Sequence, residues 1–133
     1  MKLITRDTDY AIRALCAMAS CRKERLNVGD LCTRTRIPRP FLRKILQVLS
    51  RKRIISSSKG RSGGFLLSKD PEDISLIDLI KIFQRDIRIS EHIFKKQSCC
   101  NVKTCKLKKV IDDIEKYAIV RLKSVFLSSL YNN

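Results

Sequence analysis

Three thiols and the only imidazole of this 133-residue chain fall close together, as His92, Cys99, Cys100 and Cys105. Thiolate sulfur and imidazole nitrogen are ligands for zinc and for iron–sulfur clusters, and a flexible loop wraps a cluster more readily than a rigid helix does. The pattern His-x6-Cys-Cys-x4-Cys is not the paired Cys-x2-Cys of a zinc ribbon. Its wide steps suit a cluster whose irons lie apart better than one small tetrahedral ion. Adjacent residues rarely ligate one centre comfortably, so Cys100 reads as a spare beside Cys99. His92 alone would be a surface residue, and its phase with Cys99 and Cys105 makes it a candidate ligand. Ordinary reduced cysteines and a reversible disulfide sensor stay open beside the metal or cluster reading.

A second constellation is electrostatic. Between Thr33 and Gly63 the chain carries ten Lys or Arg residues and no Asp or Glu. A polyanion partner tolerates such charge, because each neutralised phosphate releases condensed counterions. The alternative is a solvated basic surface. Against it, the charges ride on an ordered helix, turn, helix and hairpin pattern. The net charge is +16 with a pI near 10.0, and residues 1–70 contribute +12 of it against +4 from 71–133. A general solubility effect would not localise in this way.

The elements that must position these groups follow from periodicity. Thr8–Ser20 reads as a helix capped by Thr8, with Ala11, Ala14, Leu15 and Met18 as its apolar stripe. Asn27 caps a shorter helix over Val28–Thr35, with Leu31 facing inward. After a turn at Ile37-Pro38, a helix from Arg39 to Arg53 places Phe41, Leu42, Ile45, Leu46 and Leu49 on its apolar side. Arg39, Arg43 and Gln47 share the opposite strip at four-residue steps. Ile54–Ser58 and Phe65–Ser68 are strands of a hairpin around Lys59-Gly-Arg-Ser-Gly-Gly64, whose glycines permit a tight turn. Pro71–Arg85 is expected to be one helix with a Leu76, Leu79, Ile80, Phe83 stripe, and Asp86–Ser98 to be loop-like. From Lys106 to Leu130 the stripe Leu107, Ile111, Ile114, Ala118, Leu122, Val125, Ser129 predicts a rod about 37 Å long at 1.5 Å per residue. So long an amphipathic rod outreaches so small a domain, and a homodimer seam is its outlet.

The expected fold class is therefore mainly α with a small β-hairpin wing. Residues 1–70 form a winged helix-turn-helix, and 71–133 carry a linker helix, a cysteine-containing sensory loop and a dimerisation helix, within one compact domain. Base contacts fall to Arg39, Arg43 and Gln47, Arg being suited to guanine and Gln to adenine. Phosphate contacts fall to Lys44, Arg51, Lys52 and Arg53, with Lys59 and Arg61 on the wing and Arg61 reaching the minor groove. The other cysteines have blander readings: Cys16 and Cys32 as small buried hydrophobes, Cys21 as a surface thiol. Charged residues interrupt the N-terminus and no run is long and apolar enough to span a bilayer, so a cytoplasmic protein without membrane association is expected. No Ser/His/Asp set, paired acids or phosphate-binding glycine loop points to an enzyme.

Three segments together resemble one family. Ile4-Thr-Arg-Asp-Thr-Asp-Tyr-Ala-Ile-Arg13, Ile37-Pro-Arg-Pro-Phe-Leu-Arg-Lys-Ile-Leu46 and Lys59-Gly-Arg-Ser-Gly-Gly-Phe-Leu-Leu67 are similar to the Rrf2 family of bacterial winged-helix transcriptional regulators, over Met1 to about Leu130. The resemblance implies a homodimer crossed along its C-terminal helices, reading a palindromic operator in double-stranded DNA. Cluster-binding members carry three cysteines about six residues apart before the dimer helix. Cys99 and Cys105 match the second and third, and His92 stands near the first. In the nitric-oxide sensor type a fourth ligand comes from an aspartate of the partner subunit, matched here by Asp9. In the iron–sulfur regulator type it is a helix-borne histidine, and Lys108 at that position cannot serve. The implied function is a dimeric, sequence-specific regulator, a repressor, gated by an iron–sulfur cluster of the 2Fe-2S or 4Fe-4S type. The alternative is a regulator of the same fold without a cluster, zinc-bound or apo, answering to thiol oxidation or a partner protein.

Overall fold

The stripe Ala11, Ala14, Leu15 and Met18 needs a partner surface, and the computed structural model, which describes residues 2–88 and 104–131, buries all four in helix α1 (Arg6–Ser20). The helix starts two residues before the expected Thr8. Thr5, extended at φ −80° and ψ 165°, is the N-cap, and its hydroxyl accepts the Thr8 N–H at 3.4 Å. Asp7 and Asp9 then lie in the first turn, where negative charge meets the positive end of the backbone dipole. Thr8 is itself fully buried and serves a different role.

Helix α2 (Val28–Thr35) opens on a reciprocal cap. The Asp30 N–H donates to Asn27 Oδ1 at 2.8 Å and the Asn27 N–H donates to Asp30 Oδ2 at 3.2 Å. Arg36 closes it in the left-handed region at φ 57°. The chain then turns through buried Ile37 into Pro38, the N-cap of helix α3 (Arg39–Arg51). The expected helix ran to Arg53. It stops earlier because Lys52 caps it and Arg53 adopts φ 59°. Leu42, Ile45, Leu46 and Leu49 are buried.

Strands β1 (Ile55–Ser58) and β2 (Gly64–Leu67) pair antiparallel with Ile55 opposite Leu67 and Ser58 opposite Gly64. Each begins or ends one residue from the expected bounds. Leu26 forms a bridge with Phe65, the Phe65 N–H donating to the Leu26 carbonyl at 2.8 Å. Gly64 makes that approach possible: at φ +143°, a Cβ there would stand 2.8 Å from the Leu26 carbonyl oxygen.

The single helix expected over Pro71–Arg85 is divided. Pro71–Asp73 form a 3-10 turn, Ile74 is extended, and Ser75 caps helix α4 (Leu76–Gln84). The break has a cause further along the chain. Helix α5 (Lys106–Lys123) covers 18 residues rather than the whole expected stretch to Leu130, about 27 Å at 1.5 Å per residue. At Ser124 the chain turns back. The Leu76 N–H donates to the Val125 carbonyl and the Leu127 N–H to the Ile74 carbonyl, each at 2.8 Å. Leu127, in a 3-10 turn over Leu127–Ser129, enters the main core at 1% exposure.

That core lies between α1, α2, α3 and α4, with the hairpin against its edge. A smaller cluster joins Leu76, Ile77 and Ile80 of α4 to Leu122. The fold-back predicts that Leu127→Ala destabilises the protein by about 2–5 kcal/mol, the usual cost of a large-to-small change in a core. A continuous rod would leave this residue on an exposed helical end, with a cost below about 0.5 kcal/mol. Urea denaturation distinguishes the two.

Candidate nucleic-acid interface

Helix α3 has two chemically opposed sides. Its aliphatic side is sealed in the core, while Arg39, Arg43, Lys44, Gln47 and Arg51 are all exposed. Burying four aliphatic side chains is worth roughly 1.5–3 kcal/mol each before entropy is subtracted. A like-charge pair at four-residue spacing, such as Arg39 and Arg43, opposes the helix by only about 0.2–0.5 kcal/mol. Burial therefore dictates the helix's attitude, and the cations are carried outward together.

Lys59 and Arg61 project from the exposed tip of the hairpin. The tip is tight because Gly63 approaches Ser58, where a Cβ would come within 2.4 Å of the carbonyl oxygen. Between α3 and the hairpin lies a groove of about 580 Å³, lined by Arg43, Gln47, Arg51, Ser57 and Phe65 among others. The structure thus brings the seven DNA-contact candidates onto one helix face and its adjoining wing. Lys52 and Arg53 are exposed in the turn between them.

Sequence reasoning missed a flank of this surface. Phe41 was expected inside, yet it is 39% exposed, because it lies to one side of the aliphatic strip. The Arg6 guanidinium sits 4.9 Å from the centre of its ring. Tyr10 follows with a ring-centre separation of 6.2 Å from Phe41, and Arg13 lies 5.0 Å over Tyr10. Such cation–ring contacts contribute about 0.5–1 kcal/mol at exposed sites. Arg13 also donates from Nε to Asp9 Oδ2 at 3.1 Å and from Nη1 to the Thr35 carbonyl at 3.0 Å. It braces the helix-turn-helix corner from α1. The spacing of Arg6, Tyr10 and Arg13 on one helix side was visible in the sequence, but their ring partner in α3 was not.

Gln84, the last residue of α4, was also missed. Its Oε1 accepts the Thr5 N–H at 2.9 Å and the Thr8 hydroxyl at 2.7 Å, while Nε2 donates to the Leu3 carbonyl at 3.2 Å. One side chain thereby ties the end of α4 to the start of α1. No periodicity announces such a contact.

Of the candidate metal ligands, His92 and Cys99 lie outside the described residues, as does Cys100. Cys105 is the half-buried N-cap of α5. Asp9 is exposed at the start of α1 and already accepts from Arg13 of its own chain, an ion pair at 3.1 Å. Among the described residues no group of three or more His, Cys, Asp or Glu side chains converges on a point. Lys108 is paired with Asp112 at 2.5 Å. Cys16 is only half-buried rather than sealed in the core, and burial pushes its thiol above the usual range. Cys21 and Cys32 are half-buried too.

Residues 4–133 match the model of the Rrf2 family, described as iron-dependent transcriptional regulators. The chain belongs to the Rrf2 family. NsrR of Bacillus subtilis is 30% identical over 115 residues, covering 85% of this chain and 78% of that protein. An HTH-type transcriptional regulator of Aquifex aeolicus is 39% identical over 74 residues, 56% of this chain and 51%, about half, of the relative's length. IscR of T. potens superposes with a TM-score of 0.76 at 19% identity, over 98% of this chain and 85% of that one. CymR of B. subtilis, the global cysteine regulator, gives 0.75 at 18% identity, over 98% and 96%. The fold is the winged helix of these regulators, and this Rrf2 protein is a DNA-binding transcriptional regulator. No helix among its described residues is long and apolar enough to cross a membrane.

The tie between α1 and α4 gives a direct test of this Rrf2 fold. Gln84→Ala leaves the buried Thr8 hydroxyl and the Thr5 N–H short of their acceptor, and is expected to cost about 1–3 kcal/mol in chemical denaturation. Gln84→Glu keeps the accepting oxygen but sets a second acceptor against the Leu3 carbonyl, so it should recover only part of that loss.

Proposed function

We propose that this regulator acts as a homodimer whose paired α3 helices and wings read a palindromic operator. The observation that carries the reading is the segregation on α3: every long polar side chain faces outward beside the basic wing, and every buried one is aliphatic. In this reading Arg39, Arg43 and Gln47 contact base edges, Lys44 and Arg51 meet phosphates, Lys59 holds the backbone and Arg61 enters the minor groove. Repression follows where such an operator overlaps a promoter.

The outer face of α5 supports dimerisation. Leu107, Val110, Ile114, Tyr117 and Val120 are 58%, 54%, 49%, 74% and 67% exposed. The first four follow the 3-4-3 spacing of an apolar seam. This stripe differs from the one anticipated from sequence, because Leu122 and Val125 are spent inside their own chain against α4. What remains outward-facing is a shorter strip, suited to a second copy of the same helix.

The donor chemistry of His92, Cys99 and Cys105, with Asp9 of the partner subunit, fits an iron–sulfur cluster, two of the four being thiols and one an imidazole. Such a cluster would supply a one-electron redox centre that small oxidants can destroy. On the protein side, Asp9 holds Arg13 through Oδ2, so binding a cluster would draw on the same carboxylate, and Arg13 reaches the Thr35 carbonyl at the helix-turn-helix corner. Recruitment of Asp9 therefore bears on the reading head through this chain's own residues. That same ion pair favours the second reading, a cluster-free or zinc-bound regulator of the same fold in which Asp9 stays structural and the thiols or a partner protein carry the signal.

Arg43→Ala is expected to weaken binding to a selected operator duplex by about 1–3 kcal/mol and to relax base preference at one position. Equal weakening on random duplex would reduce Arg43 to a phosphate contact. Purified without air, the wild type should contain iron and acid-labile sulfide and absorb near 400 nm, and His92→Ala should lose much of both. A colourless protein lacking both supports the cluster-free reading.

A further inference from the structure

We propose that Arg6, seated on the Phe41 ring, is a second phosphate-gripping arm, on the flank of the reading helix opposite the wing. The inference rests on the DNA-reading surface above and adds a contact outside it. Its starting point is a difference between two arginines of one helix. Arg13 is fully employed, by Asp9, by the Thr35 carbonyl and by the Tyr10 ring. Arg6 stacks on Phe41 at 4.9 Å and, among the described residues, pairs with no carboxylate. A guanidinium laid on a ring keeps its N–H edge free, and that edge matches the geometry of a phosphate.

Placement supports the same conclusion. The groove toward the wing is lined from α3 by Arg43, Leu46, Gln47, Ser50 and Arg51. At 100° per residue, Phe41 lies on the far side of α3 from Ser50, while Lys44 lies between them, within about 20° of Arg51. Phe41 is exposed enough to act as a platform, at 39%. Arg6 is the first residue of α1, where a cation opposes the helix dipole and contributes nothing to helix stability. Its position is nevertheless fixed. The preceding Thr5 N–H is held by Gln84 Oε1 at 2.9 Å, so α1 starts at a set place beside α3. A duplex lying on α3 would then be held on both flanks, by Lys59 and Arg61 on one and by Arg6 on the other.

A phosphate contact carries no sequence information, so the test needs no known operator. Binding to a random-sequence 30-base-pair duplex is followed by fluorescence anisotropy across a potassium chloride series. Arg6→Ala should weaken binding roughly fivefold to tenfold per engaged protomer near 0.1 M salt and flatten the log–log salt slope by about 0.9 per protomer. Arg6→Lys should restore the slope, because the charge is kept. Lys23→Ala, an exposed change in the turn after α1, should match the wild type, and Arg61→Ala should weaken binding as a positive control. Thermal midpoints of the Lys23 and Arg61 variants should agree with the wild type within about 2 °C, and those of the Arg6 variants should fall by no more than about 5 °C, the shift expected from losing one exposed cation–ring contact of about 0.5–1 kcal/mol. If Arg6→Ala retains the wild-type slope while Arg61→Ala loses affinity, the second grip is wrong and the DNA-reading surface stands. If Arg6→Lys fails to restore the slope and both Arg6 variants melt early, the residue is structural and the proposal falls. If the wild type itself ignores duplex DNA, the underlying reading falls with it.

Discussion

Four aliphatic side chains, Leu42, Ile45, Leu46 and Leu49, fix helix α3 against the core formed with α1, α2 and α4. Everything else in the basic half depends on that anchorage. A helix bearing five exposed, mostly cationic side chains has no electrostatic reason to hold a fixed attitude, and its like charges mildly oppose it. Apolar burial outweighs this opposition by about an order of magnitude. The cations are therefore carried on a rigid support. Rigidity matters for recognition, because a base-contacting guanidinium that must first be ordered gives part of its interaction back as lost entropy.

Three polar contacts refine the attitude that burial sets. Arg13 reaches from α1 to the Thr35 carbonyl at the corner between α2 and α3. Gln84 ties the end of α4 to Leu3, Thr5 and Thr8 at the start of α1. The bridge between Leu26 and Phe65 sets the hairpin against the same body. Through these contacts the end of α4, which leads toward the cysteine-bearing segment, is mechanically continuous with the start of α1 and hence with the reading corner. A signal acting on either end of α4 has a short physical route to α3.

Much of this was legible in the residues. Apolar periodicity placed α1, α2 and α3 within about two residues of their observed bounds, and glycine placement located the wing. Where sequence reasoning failed, a distant partner was responsible. The 71–85 stretch looked like one helix, but Ile74 and Ser75 are taken up by backbone pairing with Val125, Phe126 and Leu127. The same pairing cuts the C-terminal rod short, and no local pattern near Ser124 reveals it. Phe41 read as a core residue because hydrophobicity alone does not say which edge of a helix faces a neighbour's arginine. Thr8 read as a cap because Ser and Thr caps are common, whereas the buried hydroxyl answers Gln84 from 76 residues away. The exposed basic face of α3 was legible because exposure and charge coincide on one periodic strip. The candidate ligands His92, Cys99 and Cys105 were legible only as a set of ligand types.

The proposed dimer would bring these parts to an operator together, and the outer strip of α5 is where two copies are expected to meet. Two heads joined along such a strip would place their α3 helices in successive major grooves on one face of the duplex, about 10 base pairs apart. Hydroxyl-radical footprinting on a duplex selected from random sequence, with the stoichiometry of the complex measured by sedimentation, reads this arrangement directly. Two protected patches about one helical turn apart, with two chains per duplex, are the predicted result. A single protected patch bound by one chain, or uniform protection without register, would contradict it.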